Sequence, residues 1–296
     1  MALERIEAIP QLAPRPRESH KGRFGTVLVV AGSRGMAGAA ALCGAAALRS
    51  GAGLVRIATA AEVQPVVAGF EPSYMTYPLA CTADGLIDFP KARPVLQRLL
   101  APATVVAVGP GLGQSEEIHG LLRFLLAETD KPLILDADGL NALVGQTELL
   151  AGVARPVILT PHPGEFARLT GTGVTEIQAD RPGQAAQLAT TSPALVVVLK
   201  GAGTIVTDGR RYFENSTGNP GMATGGTGDV LTGVIAALLA QGLPAFEAAQ
   251  LGVFVHGLAG DIARDNHGEL GLIAGDLVDA LPDAFTHLMP DPDIIT

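Results

Sequence analysis

Short runs of β-branched and aliphatic residues alternate with longer alanine-rich or amphipathic stretches along most of this chain. Seven such runs, at 26–30, 54–58, 104–108, 133–135, 157–159, 195–199 and 204–207, are candidate strands. Most are apolar throughout, which is typical of strands covered by helices on both faces. The alternation predicts βαβ units and hence an α/β fold, with a central and mostly parallel sheet between two helical layers.

The stretches between the strands predict nine helices, at 39–50, 61–70, 92–100, 116–129, 164–170, 182–190, 229–241, 246–263 and 276–288. No Ser/Gly linker, low-complexity tract or internal repeat divides the chain of 296 residues. We therefore expect one catalytic domain over residues 21–296. Residues 1–20, mixed in charge and interrupted by proline, are expected to form an arm on its surface or on a neighbouring subunit.

Charge and cysteine content exclude several classes of protein. The 20 basic and 29 acidic residues give a formal charge of −9, which opposes binding to a phosphate backbone, so no nucleic-acid partner is expected. Cys43 and Cys81 form no CxxC pair, which favours a reducing, cytoplasmic setting over a disulfide or zinc framework. The uncharged and mostly apolar run at 230–246 is too short to span a bilayer, so no membrane partner is expected.

Glycine-rich turns lie between the predicted strands and helices: AGSRGMAG, GPGLG, LDADGLN, TPHPGE, KGAGT and GNPGMATGGTGD. All but the last directly follow a strand, and the last opens a helix. In open α/β sheets, ligands bind beyond the carboxyl ends of the strands. The turns are therefore expected to converge on one site.

The segment Gly225-Gly226-Thr227-Gly228-Asp229 precedes an apolar helix and carries the clearest chemistry. Its glycines permit close approach of an anion, and the free N–H groups of a helix N-terminus attract negative charge. In a site that only binds anions, the carboxylate of Asp229 would repel phosphate. As a base, Asp229 could accept a hydroxyl proton while the amides stabilise a transferring phosphoryl group. An ordinary tight turn with a helix-capping acid remains the alternative.

The turn after the strand at 157–159 displays two polar side chains between prolines. His162 could hydrogen-bond a substrate, and Glu165 could hold Mg²⁺ through water. Alternatively, Glu165 only supports the first turn of the next helix.

Three further charged residues end predicted strands. Lys200 could meet nucleotide phosphates, although a strand-end lysine is more often solvated. Asp136 and Asp138 could bind hydrated Mg²⁺ or cap a helix. The other histidines show no metal-ligand spacing and are assigned no role.

The motifs HKGRFGTVLVVAGS, GMAGAAAL, GPGLG, LDADGLNAL, LTPHPGEFARL, VVLKGAGT and GNPGMATGGTGDVLTG occur in this order over residues 20–262. Together they closely resemble the ADP-dependent NAD(P)H-hydrate dehydratases, a branch of the ribokinase-like superfamily. The resemblance implies a ribokinase-like three-layer α/β/α fold and a hydro-lyase that repairs hydrated NADH or NADPH. ADP would phosphorylate the hydroxyl of the hydrated ring, and phosphate would then leave, giving AMP and phosphate.

The resemblance also assigns residues. Asp229 matches the base, and Gly226, Thr227 and Gly228 match the anion hole. Substrate positions fall at Gly38, Ala39, Ala40, Gly111, Gly113, His162 and Asp229; nucleotide positions fall at Lys200, Gly201, Ala202, Gly203, Thr204 and Gly228. Glu165 matches the acid of the magnesium motif, so Mg²⁺ is the expected cofactor and ADP the co-substrate.

Many relatives carry a fused N-terminal epimerase, whereas only about twenty residues precede the first motif here. We therefore expect a stand-alone dehydratase acting on one epimer. The resemblance also implies a homo-oligomer, since members of the family form homotetramers. The main alternative is a small-molecule kinase of the same superfamily, such as a hydroxyethylthiazole-type kinase. His162, GPGLG and GMAGA favour the dehydratase branch. A nucleotide sensor without turnover is a third reading, which Asp229 and Glu165 oppose.

Overall fold

The computed structural model describes residues 3–288. Its strands form one ten-stranded sheet in the order β1-β10-β9-β8-β7-β6-β5-β2-β3-β4. The strands are β1 (Glu4–Arg5), β2 (Thr26–Val30), β3 (Leu54–Ala60), β4 (Met75–Leu79), β5 (Val105–Val108), β6 (Leu133–Leu135), β7 (Val157–Leu159), β8 (Leu195–Leu199), β9 (Ile205–Thr207) and β10 (Arg211–Glu214). All neighbouring strands are parallel except β9, which is antiparallel to both β8 and β10.

Helices cover both faces of the sheet. One layer contains α1 (Ala37–Arg49), α2 (Gln64–Ala68), α9 (Thr227–Ala240), α10 (Ala245–His267) and α11 (Ala274–Thr286). The other contains α3 (Phe89–Leu100), α4 (Glu116–Glu128), α5 (Asp138–Asn141), α6 (Pro163–Thr170), α7 (Val174–Ala179) and α8 (Arg181–Ala189). The predicted three-layer α/β/α fold with a mostly parallel sheet is therefore confirmed.

The apolar strands supply both halves of the core because successive side chains point to opposite faces of a sheet. Val27 and Val29 of β2 pack beneath α1 and α9, whereas Leu28 and Val30 pack beneath the opposite layer. All four are fully buried. Continuous apolar runs thus mark the central strands, as expected.

Several elements differ from the sequence prediction. The strand predicted at 54–58 continues to Ala60, and the helix predicted at 246–263 continues to His267. Strands β1, β4 and β10 and helices α5 and α7 were not predicted. The uncharged run 230–246 covers most of α9, the turn after it and the first two residues of α10. No helix in the described part of the chain is long and apolar enough to cross a membrane.

The N-terminal segment lies along the domain surface. Strand β1 pairs with β10, and the buried side chain of Gln250 donates to the carbonyl of Ala8. Nη2 of Arg15 donates to the carbonyl of Gly51, and its guanidinium lies 3.8 Å from the ring centre of Phe24. These contacts join the segment to the sheet edge and to the helical layer containing α1.

Candidate active site

Five neighbouring parallel strands, β8, β7, β6, β5 and β2, end at the same edge of the sheet, and a glycine-rich turn follows each of them. The turns contact one another directly. Oγ of Ser33, after β2, donates to the carbonyl of Gly111, after β5, at 2.8 Å. The N–H of Gly113 donates to Oδ2 of Asp138, after β6, at 2.8 Å. The predicted convergence of these turns is seen in the structure.

Helix α9 begins at this edge with the predicted glycine-rich turn. Its N-cap residue, Gly226, has φ +92°, and a Cβ there would lie 2.6 Å from Cδ1 of Leu42. Residues that carry a side chain rarely adopt this left-handed backbone conformation, so the turn requires glycine. Within residues 3–288, the N–H groups of Gly228 and Asp229 find no acceptor in the protein. The helix start therefore offers free amide donors to an anion.

Asp229 lies in the first turn of α9 and is partly buried. Burial, reinforced by the carboxylate of Asp136, raises the pKa of Asp229 to about 7, although the ammonium of Lys200 opposes the rise. A carboxylate with a pKa near neutrality is suited to accept a proton and to release it again.

Lys200 is the cation at the centre of this cluster. Its Nζ lies 2.9 Å from Oδ1 of the buried Asp136 and 3.8 Å from Oε2 of Glu165. Burial opposes the charged ammonium, but the two carboxylates outweigh it and raise the pKa of Lys200. A Cβ on Gly228 would lie 3.2 Å from Nζ, so the ammonium stands directly beside the helix start. The assignment of Lys200 to nucleotide phosphates stays a prediction.

Asp136 and Asp138 face different partners. Oδ1 of Asp136 accepts from Oγ1 of Thr160 at 2.7 Å and pairs with Lys200, whereas Asp138 accepts from Gly113 and Asn141. Ala137, between them, has φ +47° and ψ −115°, a strained conformation for a residue with a side chain. The turn therefore directs two carboxylates that are only two positions apart in the sequence towards different partners.

His162 and Glu165 form a capping box at the start of α6. Nδ1 of His162 accepts from the N–H groups of Gly164 and Glu165, and Oε2 of Glu165 accepts from the N–H of His162 at 2.8 Å. The capping role considered for Glu165 is thus observed. Because Nδ1 accepts, the proton of a neutral imidazole is on Nε2, which lies 3.5 Å from Oε1 of Glu165 in a half-exposed side chain.

Two cavities border the glycine-rich turn at the start of α9. A cavity of about 500 Å³ is lined by Thr227 and by all six residues predicted to bind nucleotide, Lys200, Gly201, Ala202, Gly203, Thr204 and Gly228. A cavity of about 820 Å³ between α1 and α11 is lined by Gly38 and Gly225. The glycine-rich turn therefore borders both spaces.

The predicted substrate positions Ala39, Ala40 and Gly111 lie where the start of α1 meets the turn after β5. Ala39 and Ala40 are buried, so neither side chain is available to a ligand. A Cβ on Gly111, where φ is +60°, would lie 3.0 Å from Cβ of Ala39, so the two turns are packed against each other. Of the three predicted residues at the start of α1, Gly38 lines the 820 Å³ cavity.

Two residues of the site were missed by the sequence reasoning. The guanidinium of Arg181, at the start of α8, donates to the carbonyls of Leu199, Lys200 and Ala202 and so clamps the KGAGT turn. His256, in the middle of α10, lies with Nε2 2.9 Å from the carbonyl oxygen of Thr227. Neither belongs to a recognisable motif, because their partners lie 18 or more positions away.

The donor groups fit a hydrated cation better than a directly caged one. Within the described residues, no three His, Cys, Asp or Glu side chains are placed to hold a metal ion together. Mg²⁺ keeps several waters and is usually held by one or two carboxylates and by substrate phosphates. Glu165 already accepts a backbone hydrogen bond, so it suits a contact through water.

Comparison with known proteins identifies the family. A sequence model described as NAD(P)H-hydrate dehydratase matches residues 27–283. The ADP-dependent (S)-NAD(P)H-hydrate dehydratase of Neisseria meningitidis is 42% identical over 273 residues, covering 90% of this chain and 86% of that protein. The crystal structure of the ADP/ATP-dependent NAD(P)H-hydrate dehydratase of Bacillus subtilis, co-crystallised with ATP and Mg²⁺, superposes with a TM-score of 0.78 at 35% identity, covering 94% of this chain and 95% of that one.

Longer relatives also match. The bifunctional NAD(P)H-hydrate repair enzyme of Moorella thermoacetica is 45% identical over 287 residues, covering 96% of this chain but 54% of that protein. The chain thus spans about half the length of the first curated relatives it matches. With the ribokinase-like fold shared by the solved structures, the chain belongs to the NAD(P)H-hydrate dehydratase family.

Proposed function

We propose that this protein dehydrates hydrated NADH or NADPH at the expense of ADP, releasing AMP and phosphate. The observation that supports this most strongly is the position of Asp229 beside free amide donors at the start of α9, together with its pKa of about 7. Two similar proteins, named as an ADP-dependent and an ADP/ATP-dependent dehydratase, support the same reaction.

In the proposed first step, Asp229 accepts the proton of the ring hydroxyl as its oxygen attacks the β-phosphorus of ADP. A new P–O bond forms, and the bond between that phosphorus and AMP breaks. The free N–H groups of Gly228 and Asp229 stabilise the negative charge on the transferring group. Lys200 balances the surrounding carboxylates.

In the second step, the C–O bond to phosphate breaks and a proton leaves the neighbouring ring carbon, which restores the double bond. Phosphate is a far better leaving group than hydroxide. Overall, the elements of water removed from the ring are those that convert ADP into AMP and phosphate. Asp229 can return its proton to solvent or to the departing phosphate.

We also propose Mg²⁺ as the cofactor, held through water by Glu165 and by the phosphates of ADP. Three acidic side chains, Asp136, Asp138 and Glu165, lie close enough to raise the pKa of Asp229, and the charge of Lys200 opposes them, so a further cation suits this end of the site. When bound, the ion would neutralise phosphate charge.

We further propose a cytoplasmic homo-oligomer, with a tetramer as the assembly to test. Phe70 and Ile273 line the mouth of the 820 Å³ cavity with 61% and 59% of their surface exposed, which a neighbouring subunit would cover. Light scattering should return a multiple of 30.2 kDa. A single 30.2 kDa species at micromolar concentration would contradict the assembly.

The reaction is tested by incubating the protein with hydrated NADH, Mg²⁺ and ADP, or ATP in a parallel sample. We expect the dihydronicotinamide absorbance to return while AMP and phosphate appear in equal amounts in the ADP sample. Asp229→Asn should stop this, whereas Asp130→Asn, at an exposed position far from the turn, should not. Accumulation of a stable phosphorylated product would instead favour a kinase, and absence of both products would reject the proposal.

A further inference from the structure

We infer that His256 is a positioning residue that orients and polarises the Gly228 amide, the donor that receives the transferred phosphoryl group. This inference rests on the proposed function, because that function makes the α9 turn the phosphate site. His256 reaches the turn from a different helix, α10, and no sequence motif indicated a role for it.

The hydrogen bond has only one chemically consistent direction. Nε2 of His256 lies 2.9 Å from the carbonyl oxygen of Thr227, and a carbonyl oxygen can only accept, so Nε2 carries the proton. Burial, together with the charge of Lys200, lowers the pKa of His256 to about 4 although the bond to Thr227 opposes this. The ring is therefore neutral near pH 7 and acts as a fixed single donor.

The effect reaches Gly228 through one peptide plane. The carbonyl of Thr227 and the N–H of Gly228 belong to the same trans peptide, so they point in opposite directions. Holding the carbonyl towards α10 fixes the direction of the N–H on the other side of the plane. A hydrogen bond to the carbonyl also draws electron density towards oxygen, which makes the N–H a stronger donor.

The side chain of Thr227 fixes the other end of this residue. The single proton of its Oγ1 is shared between the carbonyls of Met222 at 3.0 Å and Thr224 at 3.1 Å. Those two contacts are local to the turn, whereas the contact from His256 joins it to a helix 29 positions further along the chain. His256 therefore prevents the plane from rotating when the phosphoryl group arrives.

A competing role is direct contact with the nucleoside, because His256 also lines the 500 Å³ cavity. The two roles differ in what they affect. A nucleoside contact would contribute equally to the binding of AMP and ADP. A role through the Gly228 amide would affect ADP, whose β-phosphate reaches the turn, and above all the rate of transfer.

The test uses His256→Leu, which removes the donor, and His256→Gln, whose amide nitrogen can replace Nε2. His267→Leu is the matched control, because His267 ends the same helix and its side chain is 55% exposed. Calorimetry measures the dissociation constants of AMP and ADP, and steady-state assays with hydrated NADH measure kcat and KM. Circular dichroism checks the fold, and His256→Ala replaces the leucine variant if that variant does not fold.

For His256→Leu we expect kcat to fall about tenfold, since a donor is weakened rather than removed, with a KM for hydrated NADH within about twofold of wild type. ADP affinity should fall several-fold while AMP affinity is kept, and His256→Gln should restore most of both losses. Equal losses for AMP and ADP, or a kcat within twofold of wild type, would overturn the inference. The ratio of affinities needs no turnover, so it tests His256 even if wild-type protein regenerates no dihydronicotinamide.

Discussion

Replacing Asp229 by asparagine should stabilise the folded protein while it removes turnover. An acid whose pKa is higher in the folded state than in the unfolded chain binds its proton more tightly when folded. Below both pKa values the two states are equally protonated, and no penalty exists. As the pH rises past the ordinary value of 3.8, the unfolded chain loses the proton first, so folding becomes less favourable until the folded pKa of about 7 is passed.

The size of this penalty follows from the shift. The pKa of Asp229 rises from 3.8 to about 7, and each unit corresponds to about 1.4 kcal/mol, which gives an upper limit of about 4 kcal/mol above pH 7. Asparagine has nearly the same shape and no charge, so it avoids this penalty, in which the attraction to Lys200 is already included. We therefore expect Asp229→Asn to raise the free energy of unfolding by about 2–4 kcal/mol at pH 8.5 and by almost nothing at pH 4.

Urea unfolding of the nucleotide-free protein, followed by circular dichroism from pH 4 to 9, measures this difference. Asp130→Asn is the control, because the side chain of Asp130 is 86% exposed and its loss should change stability by less than about 0.5 kcal/mol. An Asp229→Asn protein that is no more stable than wild type at pH 8.5 would refute the reasoning. So would a stabilisation that grows as the pH falls.

Three other substitutions test the surroundings of the site. Arg181→Lys should weaken ADP binding about tenfold by calorimetry, because one ammonium cannot hold three carbonyls with the geometry of a guanidinium; unchanged affinity would contradict the clamp. Lys200→Met should lower the free energy of unfolding at pH 7 by about 3 kcal/mol, because it leaves the buried Asp136 without its cation; a loss below 1 kcal/mol would show that the pair is dispensable. Gly226→Ala should lower the free energy of unfolding by about 1–2 kcal/mol, because φ at this position is +92°. Gly225→Ala should lower it less, because no atom lies within 4 Å of the added Cβ; equal losses would contradict the assignment of strain to Gly226.

The central strands could be predicted from sequence because burial on both faces leaves a continuous apolar run. The run at 195–199 is β8 residue for residue. Strand β4 was missed because Met75–Leu79 lies at the sheet edge and contains Pro78, which weakens the strand pattern. Strand β10, Arg211–Glu214, was missed because it is partly exposed and mixes charged with aromatic residues, so it contains no apolar run.

The site was predictable where its chemistry is local in the chain. His162 and Glu165 were predicted to lie together because they are three residues apart at the start of one helix. The same spacing produces the capping box that the structure shows. The ion pair between Lys200 and Asp136 joins positions 64 residues apart, and the sequence contains no periodicity that would reveal it. His256 lies among small and apolar residues in the middle of α10 and belongs to no motif, so only the packing of α10 against α9 reveals its contact with Thr227.

The central claim is that Asp229 acts as the base, and the pH dependence of kcat/KM for the wild-type protein tests it most directly. This parameter reports the ionisation of the free enzyme, in which the pKa of Asp229 is about 7. With hydrated NADH and ADP, kcat/KM should fall about tenfold for each unit below pH 7 and level off above it. A kcat/KM that stays constant from pH 5 to 9 would contradict the assignment of Asp229 as the base.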